Sequence, residues 1–323
     1  MKHSPSVNGL ALQLSEEMIK DPDRYGVKVK KPARGVTIID AGIDVEGGFE
    51  AGRLITEICM GGLGKAKITS AEYGDLVLPT ILVYTDHPAI ATLGSQLAGW
   101  HISEGNYSAI GSGPARALAM KPKRIYQEIG YKDKSDRAIM LLETGEFPPP
   151  EVVDQISKDC GIRPDKLTIV LTPTTSLAGA TQISGRIAEE GTHKLTKLGL
   201  DPNKILHAWG SAPIPPLHKK LSNMMGRTND AILYGGIFYC TVDSDSQERL
   251  ARIVEKAPSS ASESYGRPFL DIFQEANCNF YKISSDLFAP AVVIVNDVKT
   301  GRTFRCGEIN VEMLKESFGI CNH

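Results

Sequence analysis

The chain lacks a charge excess of either sign: 36 Lys and Arg against 38 Asp and Glu leave a net of -2 over 323 residues. A protein that grips nucleic acid through bulk electrostatics carries a basic surplus, so that class is excluded. Long apolar runs are missing too. The longest, around Phe288 to Val295, is far short of the ~18 residues that span a bilayer. The opening MKHSPSVNGLALQLSEEMIK is broken by Glu16 and Glu17 before any sustained apolar core, so it does not read as a secretory signal and the expected location is the cytoplasm. No C-x-x-C pair occurs among Cys59, Cys160, Cys240, Cys278, Cys306 and Cys321. In a chain without an export signal these read as reduced thiols rather than a disulfide framework. The seven histidines show no H-E-x-x-H or comparable spacing, and no G-x-S-x-G elbow is present. A metal hydrolase and a Ser-His-Asp hydrolase are therefore disfavoured.

What is there is an ordinary globular composition, 41% hydrophobic, in a chain about twice the ~150 residues of a typical domain. Two domains around a cleft are expected. Strand-like and helix-like patterning alternates along the whole length, which predicts a mixed α/β architecture. Strands are expected at 36–45, 80–84, 137–142, 167–171, 231–239 and 291–295. Helices are expected at 49–60, 89–98, 114–120, 151–160, 183–198, 247–256 and 311–318. VTIIDAGIDVEGGFEAGRLITEI near the start and AVVIVNDVKTGRTFRCGEINVEMLKESF near the end share one plan: strand, glycine turn, then a polar stretch into a helix. That likeness places 1–88 with 260–323 in one terminal α/β domain and 89–259 in a middle one.

GGLGK at Gly61 to Lys65 fails as a phosphate loop, because Cys59 stands where its first glycine belongs and Ala66 where Ser or Thr should follow the lysine. GSGPAR has two glycines of a dinucleotide fingerprint, with Arg116 in place of the third. A nucleotide-dependent α/β enzyme stays open as an alternative on that phrase. Its glycines, leading into a helix, expose backbone N–H groups at Gly111, Ser112 and Gly113 that suit an anion or a polar ring edge. The richest segment is TPTTSLAGATQISGRIAEEG, Thr172 to Gly191. A strand end delivers hydroxyls and small residues, including Thr175 and Ser176, and then Gln182 and Ser184 lead into a helix bearing Arg186 and Glu189 on one face. Spacing alone favours an exposed ion pair worth ~0.2–0.5 kcal/mol. A hydroxyl-rich loop beside it instead suits a flat polar ligand and a tuned carboxylate base. PSSASESYGRPF, with Ser262, is a second loop of that kind.

VTIIDAGIDVEGGFEAGRL, ATLGSQLAGW, IGSGPARALAMKP, QISGRI, GRTNDAILYGG and PSSASESYGRPF resemble the methenyltetrahydromethanopterin cyclohydrolase family, and the resemblance runs from about Gly35 to Ile320. The resemblance implies hydrolysis of a methenyl bridge to the N5-formyl compound. It also implies two α/β domains side by side with a pterin cleft between them, a homotrimer, and no metal or redox cofactor, the tetrahydromethanopterin carrier being the substrate. The methenyl carbon is already cationic and needs no Lewis acid. The family motif G-R-x-x-E falls on Arg186 and Glu189: Glu189 as general base and then proton carrier, Arg186 as the charge that holds it ionised. Gln96, Gln182, Ser184 and the backbone of Gly111 to Gly113 are candidates for the flat pterin, Thr175, Ser176 and Ser262 line the polar loops, and Arg116 or Lys282 would meet an anionic tail. A pterin-binding protein without turnover is the non-catalytic alternative. Relatives serve methanogenesis or formaldehyde oxidation, and the balanced charge suits the ordinary-salt cytoplasm of a methylotroph.

Overall fold

The structure is a computed structural model that describes residues 5–277, 279 and 282–320. Its internal contacts divide the chain into two compact units, one formed by the chain up to Lys65 with Ala89–Gln182, the other by Ala66–Pro88 with the chain from Ile183 onward. In chain order the strands are β1 (Lys28–Lys30), β2 (Thr37–Asp40), β3 (Gly64–Tyr73), β4 (Leu76–Thr85), β5 (Trp100–Glu104), β6 (Tyr107–Ser112), β7 (Ala138–Glu143), β8 (Leu167–Leu171), β9 (Ile205–Pro213), β10 (Ile237–Val242), β11 (Val292–Asp297) and β12 (Thr303–Gly307). The helices are α1 (Val7–Lys20), α2 (Pro22–Tyr25), α3 (Phe49–Cys59), α4 (Ala115–Ala119), α5 (Lys123–Ile129), α6 (Pro150–Cys160), α7 (Leu177–Ser184), α8 (Ile187–Lys197), α9 (Leu221–Gly235), α10 (Gln247–Glu255), α11 (Phe269–Glu275) and α12 (Val311–Phe318). A π-helix covers Ala89–Gln96.

The first unit holds a sheet of order β1-β2-β8-β7-β6-β5. Its centre is parallel, β2 with β8 and β8 with β7, and antiparallel strands flank it. Ile38, Ile169 and Met140 lie side by side in register and face Val152, Val153 and Ile156 of α6. One residue further along, Ile39, Val170 and Leu141 face Leu54, Ile55 and Ile58 of α3 and Ala11 and Leu12 of α1. Burial on both faces is why these strands read as continuous apolar runs rather than alternating ones. Between β2 and α3 the chain turns through a loop whose N–H groups at Gly42, Ile43 and Asp44 all donate to the buried Asp40 carboxylate. Gly47 closes that loop at φ +68, with the Ala41 carbonyl 2.5 Å from where a Cβ would sit, so only glycine fits.

The second unit holds a sheet of order β12-β11-β10-β9-β4-β3. Phe238, Cys240 and Val242 of β10, with Val293 and Val295 of β11, pack against Leu195 of α8 and Leu250, Ile253 and Val254 of α10. A second cluster joins Ala231, Leu233 and Tyr234 of α9, Phe269 of α11 and Leu314 of α12 to Tyr73, Leu76 and Leu78.

Most expected elements stand close to their positions, and three expectations change. The run 231–239 is the end of α9 followed by β10, because a short apolar stretch around Gly235 and Gly236 cannot be told from a strand by periodicity. The helix expected over 183–198 is broken into α7 and α8 at Gly185 and Arg186. The third concerns domain membership. β2 and β11, whose shared plan grouped the termini at 1–88 and 260–323, lie in different sheets, and the chain crosses between units at 65–66, 88–89 and 182–183. Among the described residues no helix is long and apolar enough to cross a membrane. Cys59, Cys160 and Cys240 are buried and Cys306 half-buried, all as free thiols, while Cys278 and Cys321 lie outside the described residues. Burial pushes the Cys160 thiol up to about 12.

Candidate functional site

The run from Thr172 through α8 is shaped by its own side chains. Ser176 Oγ accepts from Gly179 N at 2.9 Å and donates to Pro173 O, so this hydroxyl starts α7 as an N-terminal cap. Ser184 Oγ donates to Pro213 O at 2.8 Å at the other end of the helix. Gly185 then lets the chain turn, and Arg186 stands at the cap position of α8 with φ -83 and ψ 0. Glu189 follows in the first turn. Arg186 Nη2 lies 3.2 Å from Glu189 Oε2, with the two side chains 7% and 2% exposed.

That burial overturns the exposed-pair expectation. Desolvating both charges costs several kcal/mol per ion, which the pair's own attraction offsets only with good geometry and further hydrogen bonds. The N-terminal end of α8 contributes, since its unsatisfied N–H groups favour a carboxylate in the first turn. Gly191 fixes how closely α8 approaches the sheet: a Cβ there would fall 2.2 Å from the Phe238 ring.

Glu190, the next residue, is enclosed by protein yet keeps some contact with solvent. Burial pushes its carboxyl up to about 8, the negative charge of Glu189 adds to the rise, and Arg186 and Lys197 oppose it. Further along α8 the buried Lys194 donates to the Asp286 carbonyl at 2.8 Å, and burial pushes its ammonium down. Sequence reasoning passed over Glu190. The Glu-Glu doublet was the available signal.

The remaining candidates fall into two groups. In the first unit, Gln96, Ser112, Gly113 and Arg116 gather at the end of the π-helix, where Ser112 Oγ meets Cys59 Sγ at 3.4 Å and Gly113 N donates to Ser95 O at 2.9 Å. Gly111 lies within β6, where a Cβ would fall 2.0 Å from Met140 Cε and 2.9 Å from the Trp100 carbonyl, so packing explains this glycine. The exposed N–H cradle expected at 111–113 is thus a strand end with Gly113 N already bonded. Arg116 is wholly buried; its Nε donates to Lys121 O and its Nη1 to Leu93 O and Ser95 O. These bonds tie the π-helix to the turn after α4, a structural task in place of the anionic-tail contact. Also in this unit are the half-buried Thr175 and, on the last turn of α7, Gln182. Gln182 is 0% exposed, and among the described residues neither Oε1 nor Nε2 has a hydrogen-bond partner. In the second unit, with Arg186 and Glu189, are Ser184 and Ser262, the latter accepting from Ser264 N at 3.3 Å. Among the described residues no cluster of His, Cys, Asp and Glu could hold a metal ion.

A family model described as Cyclohydrolase (MCH) matches residues 6–318. The chain belongs to this cyclohydrolase family. Proteins named methenyltetrahydromethanopterin cyclohydrolase from Methanocaldococcus jannaschii and Methanothermobacter marburgensis are each 45% identical to it, over 97% and 98% of this chain and 98% and 99% of their own. One of the same name from Methanococcus maripaludis is 47% identical over 97% of this chain and 98% of its own. In this member of the cyclohydrolase family, Gly185, Arg186 and Glu189 supply the break between α7 and α8 and the buried ion pair that follows it.

Proposed function

We propose that the protein hydrolyses the methenyl bridge of 5,10-methenyltetrahydromethanopterin, reversibly, to the N5-formyl compound. The observation that carries this reading is the buried Arg186–Glu189 pair at the head of α8, in a chain alike along nearly its full length to proteins of that name. The substrate is a cation whose methenyl carbon is electrophilic without help. It needs a water held against that carbon, a base for the water's proton and a proton for N10 as the ring opens. Glu189 is the base. Arg186 Nη2, 3.2 Å from its carboxylate, stabilises the negative charge and fixes its direction. A cationic substrate repels a guanidinium, so Arg186 works on the carboxylate and the water. Gln182, with an amide that has both a donor and an acceptor to offer, suits the amino-oxo edge of the pterin. The carrier is a substrate and no resident cofactor enters the reaction; the working protein is a cytoplasmic homotrimer.

The test is spectrophotometric. Purified protein is mixed with the methenyl compound, and loss of the methenyl absorbance is followed, with the tetrahydrofolate analogue as specificity control. Steady turnover supports the reading, whereas stoichiometric binding without turnover overturns it in favour of a carrier. Light scattering at the mass of three chains supports the trimer, and a monomer mass sinks it.

A further inference from the structure

In chain order α7 ends at Ser184, Gly185 follows, Arg186 caps α8, and Ile187 is the first residue of α8. Glycine has the widest backbone freedom of any residue type, so the direction in which Arg186 leaves this break depends on what holds the residues on either side. Both sides meet β9. Before the break, Ser184 Oγ donates at 2.8 Å to the carbonyl of Pro213, the last residue of that strand. After it, Ile187 is 0% exposed and sits over two glycines. A Cβ on Gly210 of β9 would fall 2.8 Å from its Cγ2, and one on Gly236, just before β10, would fall 2.6 Å from its Cδ1. Between the two ties Arg186 N donates to Ile183 O at 2.9 Å and closes the turn. Residues 184–187 are thus fixed against residues 210–213, about 10 Å of extended strand.

The ion pair that follows is sensitive to this placement. Arg186 Nη2 and Glu189 Oε2 stand 3.2 Å apart, at the long end of hydrogen-bond distances, so a shift of about 1 Å in the cap residue is enough to weaken the contact. Ser184 itself is 0% exposed, and its hydroxyl proton is committed to Pro213 O. We propose that Ser184 is a positioning residue for the Arg186–Glu189 pair: by tying the α7–α8 break to the end of β9, it aims the guanidinium at the base. This rests on the cyclohydrolase reading of the same site, and it gives Ser184 a task other than the pterin contact its sequence position suggests.

Ser184 acts through Arg186 and not on the substrate, so binding and turnover should separate. In Ser184→Ala, KM for the methenyl compound stays within about twofold, while kcat falls roughly tenfold or more, the weight of one charge-assisted hydrogen bond. Ser184→Thr keeps the hydroxyl and recovers most of kcat. An infrared spectrum gives a readout that needs no turnover: the carboxylate stretches of Glu189, identified by their loss in Glu189→Gln, shift in Ser184→Ala and return in Ser184→Thr. Gly210→Ala displaces Ile187 and so loosens the other side of the break. It reproduces the lowered kcat at unchanged KM, and it serves alone if Ser184→Ala does not fold. A raised KM at unchanged kcat makes Ser184 a substrate contact and overturns the proposal. So does a Ser184→Ala enzyme with wild-type kcat and KM and only a lower melting temperature. Wild-type turnover in the same series keeps this separate from the cyclohydrolase reading. If the wild type leaves the methenyl compound intact, that reading fails, and the infrared comparison still decides the positioning: a shifted Glu189 signal supports it and an unchanged one overturns it.

Discussion

In the proposed hydrolysis Glu189 is the general base. Replacing it by glutamine keeps the volume and one hydrogen-bonding oxygen while removing the base, so kcat should fall by roughly 10²–10⁴ with the fold intact. Loss of the methenyl absorbance, read beside a circular dichroism melt, checks this; near-normal turnover would displace Glu189 from the mechanism. Gln182 makes a different kind of prediction. Its amide is buried with no partner at either end among the described residues, and a buried amide left without one costs about 1–3 kcal/mol. Gln182→Leu should therefore leave stability unchanged or raise it by ~1 kcal/mol while KM rises roughly tenfold or more. Urea unfolding and steady-state kinetics on the same preparation decide it: lower stability with unchanged KM would make Gln182 a purely internal residue. Both residues stand in phrases that were legible in the sequence. Their burial was not legible, and for Arg116 burial reversed the expectation, since a guanidinium read as facing an anion spends its N–H groups on carbonyls.

At the scale of elements, α8 matters most, because Arg186 caps it, its first turn holds Glu189 and Glu190, and it packs on β9 and β10. Gly191 makes that contact possible. Gly191→Ala gains helix propensity of up to about 1 kcal/mol, yet it drives a methyl into the Phe238 ring, and overpacking of this kind costs roughly 1–3 kcal/mol. The net expectation is a lower urea midpoint together with reduced kcat, as α8 shifts off the sheet and carries the ion pair with it. A stable variant with full activity would show that the helix accommodates the methyl. The break before α8 was hidden in the sequence: 183–198 reads as one helix because apolar spacing continues across Gly185, and a single glycine does not by itself end a helix. α3, α6 and β8 were legible because their patterns are long or bounded by clear turns. α9 was not, since its buried face merges into the apolar run of β10.

For the whole molecule, pH is the informative variable. Asp230 of α9 is 0% exposed and accepts from Phe269 N at 3.0 Å, at the start of α11, and from Ser317 Oγ at 2.6 Å on α12. Burial pushes its carboxyl up to about 7, with the hydrogen bonds from Ser317 and Phe269 opposing the rise. The folded state thus holds this proton more tightly than the unfolded chain, whose carboxyl titrates near 3.8. Its contribution is fully present below about 4 and is lost as pH rises through about 7. Asp230→Asn cannot lose the proton, so its stability relative to wild type should improve from pH 5 to pH 7 by roughly 1 kcal/mol per pH unit. Calorimetry at the two pH values tests this, and a constant difference would refute the assignment.

The sequence by itself determined the mixed α/β class, about half of the strand and helix positions (β2, β4, β7, β8, β10, β11, α3, α4, α6, α8, α10 and α12) and, through the family resemblance, the Arg186 and Glu189 pair. These follow from local patterns and from a motif readable in one stretch of chain. Tertiary structure alone decided that β2 and β11 belong to different sheets, that the GSG turn is a strand end, and that the Arg186–Glu189 pair is buried with Glu190 beside it. Strand partnership and burial are set by residues far apart in the chain. An ion pair spaced three residues along a helix looks the same in sequence on a solvated face as in the interior; only the packing around α8 removes the water that would make it weak.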